Sequence, residues 1–507
     1  MIQRFAWPSG YILFFGLFSC SQGGDGTPDF LFYHRYNGYA AVTGGRPQDI
    51  GAAGMQGYLY PGLDALYYRL FVALNDHPLI LEFLLGVPYA LAAWLVWRIG
   101  CKLLPDDWPG REALAGAFAL FGMTGAAGFA TIGTTMSEVV PSLPMLAALA
   151  VWVVHRWDWR WLGAVGALAG LSVALKLTML PSFIALFVVV ALAEARQPMA
   201  ALRAALIFGG TGLVAALVVA GPWLLHNWQT TGNPTFPFFN DIFRSDLVDH
   251  GRWSDDRFKP HGFWRGLFYP AVWAFHPSNA VIELNTRDPR VLMELAAAVA
   301  LVVRRGANTA ARLLALFVLL AYALWEYEFS ILRYLAVQEA LSGVLVLAAV
   351  AAWVPRRSAL PAGIALLVIA GTAAATTRYP WWAHASRADQ AIVVHVPSTI
   401  PRDALLLLLD PWPYSYIVPS LPASITVIGT KTNMESPGAP GTLQQKIEQT
   451  VRDWKGPIWG FESNHHYPGE ADKILAHYQL RRDPPCADIT SNVDASTITA
   501  CQLQRAQ

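Results

Sequence analysis

WLGAVGALAGLSVALKLTMLPSFIALFVVVALAEA, residues 161–195, is an apolar run long enough to cross a bilayer twice, interrupted by Lys176, Thr178 and Pro181. A helix needs about 20 residues to span the hydrocarbon. The run therefore reads as two spans, 161–177 and 179–195, turning at Lys176. Read as one tilted helix, it would move every later loop to the other side of the membrane. The arginines decide between these. With two spans here, Arg4, then Arg98, Lys102 and Arg111, then Arg156 and Arg160, then Arg196 and Arg203, then Arg304, Arg305 and Arg312, then Arg356 and Arg357 all fall on one side. The positive-inside rule makes that side the cytoplasm.

Working outward, similar runs lie at 6–21, 78–99, 112–132, 138–154, 204–225, 289–303, 311–327, 332–354 and 359–376, for about eleven spans in all. The composition agrees: of 507 residues, 54% are hydrophobic and only 14% charged, where soluble domains carry about a quarter. The chain reads as an α-helical polytopic membrane protein in contact with the lipid bilayer. A net charge of +1 gives no global attraction to nucleic acid, and the twenty Trp suit interfacial belts. The same parity puts the amino terminus in the cytoplasm and places the loops 22–77 and 226–290, with the tail 377–507, on the opposite, periplasmic face. Arg4, the apolar YILFFGLF and small residues near Cys20 also resemble a signal sequence. Bulky Phe18, and Asp29 close behind it, favour a retained span.

The tail reads as a small soluble α/β domain. Strand-like ALLLLLD, ASITVIG and GPIWGF alternate with helical TLQQKIEQTVRDW and ADKILAHYQL. It carries no dinucleotide-binding fingerprint, P-loop or nucleophile elbow, and its expected role is structural or acceptor-docking. Cys486 and Cys501 are placed to pair in an oxidising compartment. His465 and His466 read as solvated, and no Cys/His metal-ligand spacing occurs.

Chemistry concentrates in the first loop, with PDFLFYHRYNGYA at 28–40 and MQGYLYPGLDALYY at 55–68. On a helix, Asp29, Tyr33 and Asn37 lie near one face and present one carboxylate among hydrogen-bonding partners. Glu138 follows at the start of the fourth span, LKLT at 175–178, and TGNPTFPFFN at 231–240. In that order, over residues 1–376, these features resemble the GT-C superfamily of bacterial integral membrane glycosyltransferases. The resemblance implies a multi-pass inner-membrane enzyme of periplasmic glycan biosynthesis. Its partners would be a polyprenyl-phosphate-linked sugar donor and a glycan, lipid or protein acceptor. It also implies Asp29 as the general base. Glu138 would position substrate or bind metal. Tyr33, His34, Asn37, Tyr60 and Asn233 would contact substrate.

Sugar transfer from a lipid phosphate needs a carboxylate to take the acceptor proton and positive charge where the phosphate leaves. Lys176 and Arg333 are the candidate cations. The loop has no adjacent acidic pair and no DxD, which leaves a divalent metal open; no other cofactor is expected. Two alternatives stand beside this reading. One is an oligosaccharyltransferase or polymerase using a diphosphate-linked glycan. The other is a non-enzymatic polysaccharide transport or assembly protein, which the scarcity of central charges disfavours.

Overall fold

The computed structural model describes residues 3–155, 158–463 and 468–506. Arg156, His465 and His466 therefore lie outside the described residues.

Each of the eleven apolar runs contains a helix: Gln3–Gln22, Pro78–Leu103, Arg111–Met123, Val139–His155, Trp159–Leu175, Leu180–Ala193, Pro198–Thr231, Arg290–Val303, Thr309–Glu328, Ala336–Trp353 and Ala359–Thr376. Among the described residues, five helices are by themselves long and apolar enough to cross a membrane. Pro198–Thr231 exposes Leu206, Leu213, Val214, Leu217 and Val218, a face that water would not tolerate over such an area. Ala336–Trp353 is the reverse case, buried almost all round at the centre of the bundle. Small residues let backbones touch there. A Cβ on Gly343 would meet the Phe118 carbonyl, and one on Gly122 the Ala340 carbonyl.

The break in the 161–195 run falls at Lys176. Its extended backbone (φ −156°, ψ 124°) ends one helix, a 3-10 turn Leu177–Met179 follows, and Pro181 sits in the first turn of the next helix, where a missing N–H costs nothing.

In the tail, Leu405–Leu408 pairs in parallel with Thr426–Gly429 on one side and Ile458–Ser463 on the other. Ile498–Arg505 adds antiparallel to Ile458–Ser463, followed by Leu480–Ser491 and, at the edge, Val394–His395. Cys486 and Cys501 form a disulfide between the two longest strands. All four leucines of Leu405–Leu408 are buried, as expected of a strand covered on both faces. Leu405 and Leu407 pack with Ile447, Val451 and Ile474 from the tail's own helices. Leu406 and Leu408 pack with Phe30, Leu31, Tyr36, Tyr67 and Phe71 of the first loop.

The first loop is thus the second covering layer of the tail's sheet. Backbone pairing adds to it: Gly24–Asp25 pairs with His384–Ala385, and Ile50 bridges Ile428. The loop after Pro198–Thr231 joins the same end, where Thr442 and Leu443 donate to the carbonyls of Asp246 and Leu247. At the other end of the bundle Arg356 pairs with Asp107, and Asn308 donates to the Lys102 carbonyl.

Arg46 holds this joint. Its guanidinium donates to the Ile425 carbonyl (2.7 Å) and to Asp49 (2.5 Å), whose other oxygen accepts from Val427 N (3.0 Å). Both side chains are almost wholly buried. Arg46→Met should cost about 3 kcal/mol, because it leaves a buried carboxylate unpaired. Thermal unfolding of the purified protein measures this; an unchanged midpoint would contradict the joint.

Candidate active site

Asp29 precedes a π-turn, Phe30–His34, that runs into the helix Arg35–Thr43. Phe30 and Leu31 are buried in the shared core, and Phe32 stacks on Trp412 while its carbonyl accepts from Ser415. Tail and bundle together therefore fix the start of this turn. The Asp29 side chain makes no helix cap. It instead meets Arg333 Nη1 at 2.8 Å. Arg333 sits on a 3-10 turn, Leu332–Leu335, that leads into the central helix, and the turn is pinned by Leu332 N donating to Val281 O (2.8 Å).

A second ion pair lies beside the first. Glu138, immediately before Val139–His155, is fully buried and accepts from Lys176 Nζ at 2.5 Å and from Thr178 at 3.3 Å. Lys176 projects from the break between its two helices, so the backbone that ends one span also delivers its ammonium. The two pairs share a field. Burial works to raise the pKa of Asp29, but Arg333, helped by His34, Lys176 and a hydrogen bond from Tyr33, overrides it and holds the carboxyl at about 2. The Tyr33 phenol is pushed well above its ordinary range by burial and by the Asp29 charge, so it stays protonated and donates. Tyr334 lies among Arg333, Glu138, Lys176 and Asp29; nothing in its sequence context marked it.

The structure thus brings Asp29, Tyr33, Glu138, Lys176 and Arg333 together, with His34 near enough to act on the Asp29 charge, and gives Asn37, Tyr60 and Asn233 other neighbours. Asn37 was grouped with Asp29 on α-helical spacing, but the π-turn between them shifts the register. Its amide donates to the Gln56 carbonyl at 2.9 Å. Asn233 is fully buried and ties its own loop, accepting from Thr235 N (3.0 Å) and donating to Phe238 O (2.9 Å). His34 pairs with Asp64 at 2.6 Å, and Tyr60 lies against Gly62. Asp25, the other early acid, is used up by Thr27 and Thr135. Among the described residues, no three His, Cys, Asp or Glu side chains converge as a cation site.

No family model matches the chain, and no curated protein matches it in sequence. Among solved structures it is similar to the crystal structure of ArnT from Cupriavidus metallidurans bound to undecaprenyl phosphate. That match has a TM-score of 0.54 at 13% identity and covers 98% of each chain. The chain shares the fold of that structure. The likeness takes in the tail, where the sequence resemblance stopped at residue 376. In this frame the two ion pairs stand where the first loop, the central helix and the Lys176 break meet.

The Asp29 shift fixes the sign of a titration. A carboxyl depressed from 3.8 to about 2 keeps its ion pair above the ordinary value and loses it as pH falls toward 2. In Arg333→Met the burial that remains should bring protonation above the ordinary carboxyl value. Infrared carboxyl bands, taken as the difference from Asp29→Asn, follow this. Identical titrations with and without Arg333 would contradict the pairing.

Proposed function

We propose that the protein is an inverting membrane glycosyltransferase that moves a sugar from a polyprenyl-phosphate donor to a periplasmic glycan, lipid or protein acceptor. The observation that carries the reading is a half-buried carboxylate, Asp29, flanked by two cations, Arg333 and Lys176, at the ends of membrane helices. The GT-C-type fold, shared with an ArnT structure bound to undecaprenyl phosphate, supports it. The arginine distribution supports an inner-membrane protein with a cytoplasmic amino terminus and with the site and tail on the periplasmic side.

The resting pair explains how a weak base becomes useful. With its pKa held at about 2, Asp29 has little appetite for a proton. A donor phosphate arriving from the bilayer competes for Arg333 and Lys176, and drawing Arg333 away leaves burial to raise the basicity of Asp29. The acceptor oxygen then attacks the anomeric carbon from the face opposite the phosphate. The bond from that carbon to the phosphate oxygen breaks, and its electrons leave with polyprenyl phosphate. The acceptor proton goes to Asp29. The cations neutralise charge as it develops on the phosphate, and Glu138 keeps Lys176 in place until the donor binds. The donor thus switches on its own base.

Release of polyprenyl phosphate from a labelled donor tests the assignment. Asp29→Asn should fold and bind donor but lose transfer by about 10²-fold or more, the usual scale of a general base. Lys176→Met should raise the donor KM by about tenfold, since it removes a charge-assisted contact. Full turnover in Asp29→Asn would overturn the base.

A further inference from the structure

Glu138 ends a stretch, Gly125–Glu138, that leaves the helix Arg111–Met123 and crosses the interior with only a 3-10 turn, Phe129–Thr131, of regular structure. Irregular backbone in the interior exposes N–H groups that lipid and apolar side chains cannot satisfy. Here carboxylates satisfy them. Ala126 N donates to Asp288 Oδ2 (2.7 Å), Ala127 N to Glu339 Oε1 (2.7 Å) and Gly128 N to Glu339 Oε2 (2.9 Å). Three successive amides pointing one way form an anion nest, occupied by acids from two other helices or their leads.

At the far end of the stretch, Thr135 donates its N–H and hydroxyl to Asp25 Oδ2, both at 2.7 Å. Asp25, Asp288 and Glu339 are each at most 2% exposed. Arg290, fully buried, balances Asp288 through two 2.9 Å contacts and also donates to the Phe121 carbonyl, at the end of the preceding helix. A Cβ on Gly125 would lie 2.1 Å from the Glu339 carboxyl carbon, so the sequence yields space for this approach. The three acids accept from main-chain amides, from threonine hydroxyls and from Arg290. Their effect on Lys176 and Glu138 therefore runs through the backbone of the stretch.

We infer that Asp25, Asp288 and Glu339 are positioning residues: they clamp Gly125–Glu138 at both ends and so set the Glu138 carboxylate against Lys176. Only the consequence for sugar transfer rests on the proposed function; the clamp itself is a statement about geometry.

The test separates the two. In full-length protein in native membranes, with Cys20→Ser and Cys101→Ser, the pair Glu138→Cys and Lys176→Cys is treated with a short bifunctional thiol reagent. Efficient intramolecular cross-linking is expected. Adding Glu339→Gln, which exchanges one acceptor oxygen for an amide donor, should lower the yield at least fivefold, and Asp25→Asn should do the same from the other end. Glu294→Gln is the control. Glu294 is equally buried and near Glu339, but makes no bond to the stretch, so its yield should not change.

If Glu339→Gln fails to accumulate, Asp25→Asn gives the reading alone. Unchanged cross-linking in the folded clamp variants would overturn the inference, as would an equal loss in Glu294→Gln. Absence of transferase activity in the wild-type protein would overturn the proposed function and leave the cross-linking result standing.

Discussion

Charge placed at the edge of a bilayer has to be matched, because neither lipid nor packed side chains can solvate it. Asp29 with Arg333 and Glu138 with Lys176 meet that requirement using residues far apart in sequence. Glu138 is fully buried and the other three are half-buried, so each needs its partner to stay ionised. The first loop, the central helix, the stretch before Val139–His155 and the break at Lys176 must therefore arrive together. That convergence makes a compact set of two opposed ion pairs.

The tail takes part in the same construction. The alternating leucines of Leu405–Leu408 divide one strand between two cores, the tail's helices on one face and the first loop on the other. Phe30 and Leu31, the residues right after Asp29, are in the second of these cores. A change in how the tail sits would be felt at Asp29 through this packing. In the proposed orientation, the arrangement gives a large extracytoplasmic domain a physical reason to exist even without chemistry of its own.

Much of this was written plainly in the sequence. Bilayer-length apolar runs need no tertiary context, so each contained a helix, and Lys176 with Pro181 marked the turn. The parallel strands 405–408, 426–429 and 458–463 were visible as apolar runs because both of their faces are buried. The strands 480–491 and 498–505 were not, since LRRDPPCADITS and ITACQLQR have polar, half-exposed patterns resembling loop. Their pairing depends on partners far away. In the site, acids and bases were legible as rare ionisable residues at span ends. Asn37 lies off the expected α-helical register because a π-turn precedes it, which no spacing rule anticipates. Asn233 turned inward to satisfy the backbone of its own loop, the common fate of short polar side chains in loops, while Asp25 accepts from nearby Thr27 and from distant Thr135. Glu339 escaped notice because its partners are main-chain amides, which carry no sequence signal, and the Asp288 contact with Ala126 is of the same kind.

The most direct measurement is a structure of the full-length protein with polyprenyl phosphate bound, which reads the central claim that the donor phosphate exchanges places with Asp29 at Arg333. The account predicts phosphate oxygens within hydrogen-bond distance of both Arg333 and Lys176, and the Asp29–Arg333 separation opened beyond about 4 Å, the limit of an ion pair. A phosphate held elsewhere, with that pair intact at 2.8 Å, would contradict it.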